Sequence, residues 1–183
     1  NPIERPVLPN AAGGGESWTA RMAIELVKRE NTIDLYATSG SLERLPKIKL
    51  KSLIDRGTNQ RSSDEFFKKR VGSNAESMLT KFSATFATKA LLAIKEKESN
   101  YDLVVDSSTD FIVSANWSFF QKPLVVIGHL PTSYSYIDIF NNIDLPENIY
   151  YVFPSMFQYN SATNIPESRK FFVPHGIDVK EIS

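Results

Sequence analysis

The chain has 183 residues, balances 21 Lys and Arg against 21 Asp and Glu, carries two histidines and has no cysteine. That balance leaves no overall field to draw in nucleic acid or an anionic membrane. The missing cysteine excludes a disulfide framework, a thiolate nucleophile and cysteine-ligated zinc. The longest apolar runs, ALLAI and PLVVIG, fall far short of the ~20 residues of a membrane helix, and no leader-like pattern opens the sequence. A soluble, cytoplasmic protein is expected.

The first ten residues, NPIERPVLPN, hold three prolines, so a first strand is limited to a few residues around Ile3 to Leu8 or is missing. Next come Gly13, Gly14 and Gly15, directly before a helical pattern in which Trp18, Met22, Ala23, Leu26 and Val27 share one side. TIDLYAT (32–38) reads as a strand closed by an SGS turn. In RLPKIKLKSLI, Lys47, Lys49 and Lys51 alternate with Ile48 and Leu50, the period of a strand with one wet face. Lysines guarding an edge strand against foreign pairing explain this better than a site for a phosphorylated acceptor or a lipid head group.

Ser62 or Ser63 is a candidate cap for a short helix through Arg70, and residues 75–98 carry the longest helical pattern, with Met78, Phe82, Phe86, Ala90 and Ile94 on one stripe. YDLVVDSSTDF (101–111) and KPLVVIGHLPTS (122–133) are apolar runs ending in polar clusters, separated by a helix-compatible stretch with Thr109 near its cap. Two further short strands are expected in NIYYVFPS and RKFFVPHGID. Repeated βα units of this kind predict an α/β fold: a Rossmann-like, doubly wound, mostly parallel sheet with helices on both faces. The expected organisation is one domain over residues 1–174, with 175–183 opening a linker.

In that architecture ligands gather at the carboxyl ends of the strands. The glycines do not satisfy G-x-G-x-x-G, because position 18 is tryptophan, and no Gly-Lys-Ser/Thr follows to make a phosphate-binding P-loop. What is left is a run of amides at a helix start, where Gly13, Gly14 and Gly15 admit a ligand close to the backbone and also admit positive φ. Glu16 stands in the first helical turn. His129 ends one strand run and Asp106, followed by Ser107, ends another, each able to orient a sugar hydroxyl or handle a proton. His175 precedes a glycine and reads as a turn residue. The two histidines lack a carboxylate at ligand spacing, so no metal site is expected.

The order of these motifs resembles the N-terminal domain of family 4 glycosyltransferases of the GT-B type, over nearly the whole chain. The family's Gly-Gly-x-Glu loop is matched by Gly13, Gly14, Gly15 and Glu16, and its next strand and turn by Leu35 to Ser41. Its strand ending in histidine is matched by Val125, Val126 and His129, and its domain exit by Val173, Gly176, Ile177 and Asp178. The resemblance implies an acceptor-side domain of a retaining transferase, inactive alone, whose partner is a C-terminal donor-binding domain of the same polypeptide. It implies a nucleotide sugar as co-substrate, no other cofactor, and an acceptor glycan, lipid-linked sugar or small molecule. The glycine loop would reach the donor's diphosphate or sugar, His129 the reacting sugar, and Asp106 and Ser107 the acceptor side. A peripheral contact with the inner face of a membrane is compatible with it, and oligomeric state is left open. Two other classes fit the residues: a nucleotide-sugar epimerase half, which needs a carboxylate pair, and a non-catalytic carbohydrate- or partner-binding domain.

Overall fold

A computed structural model describes residues 6–11, 14–42, 45–54, 75–108, 112–129 and 146–176. The chain divides into two compact units, Asn1–Lys97 and Glu98–Ser183. In the first, α1 (Gly14–Lys28) leads into β1 (Ile33–Thr38), followed by β2 (Ile48–Ile54) and α2 (Ala75–Glu96). β1 and β2 pair in parallel, from Ile33 opposite Ile48 to Thr38 opposite Ile54, with a register shift between Ala37 and Thr38.

The inward stripe of α1 is Glu16, Thr19, Ala20 and Ala23. Ile24 and Val27 pack beside it on a core of Val7, Leu35, Ala37, Leu42 and Ile48. Trp18, Met22 and Leu26, expected to lead the buried face, are only half-buried. Small side chains at the contact let the helix lie close on the strands, which pushes the large ones to its flanks. α1 ends with Glu30 at φ 67° and the Asn31 N–H donating to the Leu26 carbonyl at 3.1 Å, a Schellman closure built without glycine. Lys47, also left-handed at φ 65°, pairs with Glu30 across the start of the β1–β2 ladder.

The lysine alternation of β2 is that of the last strand in a two-stranded sheet. Lys49 is exposed, and Lys51 pairs with Asp34 of β1 at 3.6 Å. Residues 6–8 form no strand. Val7 is nonetheless buried: its N–H donates to Ser41 Oγ at 2.8 Å and its carbonyl accepts from Leu42 N–H, while Ser41 Oγ donates to the Thr38 carbonyl. The turn after β1 therefore holds the segment that proline keeps out of a ladder. In α2 the buried positions include Ala87, Ala90, Leu91 and Ile94, and Phe86 is half-buried. The side chains of Met78 and Phe82, the helix expected from Ser62 or Ser63 to Arg70, and residues 1–5 lie outside the described residues.

The second unit is a four-stranded sheet in sequence order: β3 (Val104–Asp106), β4 (Leu124–Ile127), β5 (Ile149–Phe153) and β6 (Lys170–Phe172), all parallel. α3 (Ile112–Ala115) lies between β3 and β4, and α4 (Met156–Ser161) between β5 and β6. Leu124, Ile149, Tyr151 and Phe153 fill the packed face of the sheet, whereas Val125, Tyr150 and Val152 on the other face are half-buried. The entry to β4 is tied from three directions. Trp117, fully buried and stacked on Phe120, donates its indole N–H to the Lys122 carbonyl at 2.8 Å. Asn148 Nδ2 donates to the Phe120 and Lys122 carbonyls, and the Glu98 carboxylate accepts from the Gln121 and Lys122 amides. Where β4 begins decides where it ends.

Every ladder among the described residues is parallel and the strands are flanked by helices, so the architecture is α/β and Rossmann-like. Among the described residues no helix is long and apolar enough to cross a membrane.

Candidate functional site

In the first unit α1 packs on a core it shares with β1, and the expected site residues fall at the start of the helix and past the carboxyl end of that strand. The chain closes this end with the turn Ser39 to Ser41, in which Gly40 has φ 82°. Gly13 lies outside the described residues. Gly14 and Gly15 are the first residues of α1, and a Cβ built on either meets nothing within 4 Å. Among described glycines only Gly40 has positive φ, so Gly14 and Gly15 do not serve the left-handed conformation that glycine also admits. A first helical turn calls for right-handed dihedrals; what the two glycines supply is open space beside amides that have no partner within the helix.

The carbonyls of Gly14 and Gly15 accept from Ser17 Oγ at 3.2 Å and Thr19 Oγ1 at 2.7 Å. Glu16 is 1% exposed and lies on the packed stripe. The structure thus sets Glu16 apart from the glycines: its carboxylate belongs to the buried side of α1, theirs is the open side.

In the second unit the strand ends bring different chemistry together. Asp106 closes β3, nearly buried, with Oδ1 accepting from Ser108 N–H at 2.8 Å; Ser107 is half-buried beside it. Register places Asp106, Val126, Tyr151 and Lys170 in one row across the four strands, on one face. Burial pushes the Tyr151 phenol well above its ordinary range; Arg169 pulls the other way and the Asp106 carboxylate adds to the rise. The phenol therefore stays protonated at neutral pH and is a hydrogen-bonding group only. Lys170, also buried, pairs with Glu167 at 2.8 Å and lies over the Tyr159 ring.

His129 stands two residues past β4, on a backbone fixed at every turn. The Gly128 N–H donates to the Val152 carbonyl at 2.9 Å, and the His129 N–H donates to the Ile127 carbonyl at 3.0 Å. The Gly128 carbonyl accepts from Gln158 Nε2 at 3.0 Å, and a Cβ on Gly128 would lie 2.7 Å from the Phe153 ring. Only glycine lets the two strand ends approach this closely.

The His129 ring is half-buried, and its pKa is lowered to about 4, chiefly by desolvation and secondarily by His175. The two rings are 5.6 Å apart between centroids, tilted by 34°. Desolvation lowers the pKa of His175 as well. At neutral pH the rim of the second unit thus presents two uncharged imidazoles, each with one donor and one acceptor nitrogen.

His175, read from the sequence as a turn residue, is a member of this pair. Tyr151 and Gln158 were also not singled out. For Gln158 the signal was present: Ser155-Met156-Phe157-Gln158 has the spacing of a capping box, and Ser155 Oγ accepts the Gln158 N–H at the start of α4. Among the described residues no three His, Asp or Glu side chains cluster as a metal site. Compared with protein-family models, curated proteins and solved structures, the chain matches none.

Proposed function

We propose that this chain is the acceptor-side domain of a retaining glycosyltransferase, which moves a sugar from a nucleotide-sugar donor to a glycan, lipid-linked sugar or small-molecule acceptor. The observation that carries the reading is His129, a neutral imidazole locked at the carboxyl end of β4, where the α/β architecture puts ligands. Of the two roles its chemistry allowed, orienting a hydroxyl is the better one. With a pKa of about 4 the ring is a weak base at pH 7, yet it still accepts and donates one hydrogen bond.

In this reading Gly14 and Gly15 offer backbone amides to the donor's diphosphate, which gains negative charge as the bond to the sugar breaks. Asp106 and Ser107 hold acceptor hydroxyls. Both protein contributions are preorganised hydrogen bonds rather than covalent chemistry. The transferring enzyme also includes a donor-binding domain in the same polypeptide, and residues 1–183 alone do not turn over. It works in the cytoplasm, with peripheral contact to a membrane where the acceptor is lipid-linked.

Product analysis on the full polypeptide tests this with nucleotide sugars and candidate acceptors. A new glycosidic bond is expected, and His129→Gln, which keeps one donor and one acceptor, should retain more turnover than His129→Ala. The alanine variant should lose about 10²–10³-fold in kcat. An isomerised free nucleotide sugar, or glycan binding without any turnover, would overturn the assignment.

A further inference from the structure

The end of β4 fixes the His129 backbone. Its own N–H is committed to Ile127, and Gly128 is held by Val152, by Gln158 and by the Phe153 ring, so the backbone cannot choose where the imidazole points. The side-chain torsions can. His175 lies three residues past β6, a strand that does not pair with β4: in the sheet order β5 lies between β4 and β6, so the pairing of the two rings reaches over the end of β5. On the near side of that bridge β6 stops at Phe172, with Val173 N–H donating to the Phe153 carbonyl at 3.0 Å. This fixes the chain two residues before His175, close to the ring that already limits Gly128.

We infer that His175 is a positioning residue: its ring packs on that of His129 and holds the His129 imidazole in the orientation it presents to a sugar hydroxyl. The inference rests on the glycosyltransferase reading for the sugar, but the ring pairing stands on geometry alone. A 5.6 Å centroid separation with a 34° tilt is within the range at which aromatic rings restrict each other. His175 also lowers the basicity of its partner, as the smaller of two causes after burial. His175 acts through His129 and touches no reacting atom.

The test uses residues 1–183 and side-chain nuclear magnetic resonance of the two imidazoles, with His175→Ala and His175→Phe. In His175→Ala the His129 titration midpoint should rise above about 4 while burial keeps it below 6.5, and its ring should lose rotational order. His175→Phe, which keeps a flat ring without a titrating nitrogen, should restore the order. In the full polypeptide, His175→Ala should lower kcat about tenfold with KM for the nucleotide sugar nearly unchanged, and His175→Phe should recover most of it. A folded His175→Ala chain whose His129 midpoint and ring order match the wild type overturns the inference. So does a His175→Ala enzyme as fast as an active wild type. A polypeptide without transfer activity overturns the functional reading instead, while the resonance measurement still decides the pairing.

Discussion

Gly14 and Gly15 at the start of α1 and Gly128 at the end of β4 lack a side chain for opposite reasons. Around the first two there is empty space on the side a Cβ would occupy; around the third the Phe153 ring already fills it. The first unit keeps room at its glycines for something that is not protein; the second makes room for its own core. The contrast extends to the neighbours. Next to the open glycines stands a buried carboxylate, Glu16, while next to the closed glycine stands the half-buried imidazole of His129. A glycine that the fold does not need is a better pointer to a ligand than one that it does.

The largest effect on stability is expected at the closed position. Gly128→Ala drives a methyl into a ring that is itself only 2% exposed, so the strand ends must part. Overpacking of this kind costs about 2–3 kcal/mol, readable as a lower urea midpoint at unchanged slope. If Gly128→Ala is neutral, the two glycine positions are not different in kind and the contrast fails.

Acid should have the next largest effect. The His129 pKa is about 4 in the folded chain and 6.5 when unfolded, so the unfolded state takes up its proton first as pH falls. The contribution is fully present above pH 6.5, declines as pH falls from there to about 4, and levels off below. With allowance for a ring that still meets water, the loss at pH 4 is about 1–2 kcal/mol. His129→Gln should flatten that part of the pH profile; a wild-type-like slope in the variant would show that other groups carry it. Transfer should not titrate with His129 between pH 8 and 5.5.

Much of the fold was legible because its causes are local. Continuous apolar runs marked β4 and β5, the lysine alternation marked an edge strand, and the spacing of Phe86, Ala90 and Ile94 marked a long helix. The buried stripe of α1 was legible only at Ala23 and Val27, since periodicity ranks Trp18 and Met22 above Thr19 and Ala20, whereas close helix–sheet approach favours the small ones. β3 is only the three residues Val104–Asp106, because Asp106 turns the chain directly after it by accepting the Ser108 N–H.

At the site, His129 and Asp106 were visible as polar residues ending apolar runs. His175 was not, because its meaning comes from a ring that meets it across an intervening strand, and a His-Gly pair looks like a turn in one dimension. The buried position of Glu16 was equally hidden: a carboxylate in a first helical turn reads as a dipole partner, and only the helix's rotation shows that it faces inward.

The smallest expected change in stability is also the most informative. Gly14→Val places its side chain where nothing lies within 4 Å, at a helix start where propensity matters little, so its melting temperature should match the wild type within a degree or two. The full polypeptide carrying it should nevertheless transfer sugar at least about a hundredfold more slowly, because the valine occupies the approach to the α1 amides. Equal turnover at an equal melting temperature would contradict the account, since the open glycines would then serve neither fold nor ligand.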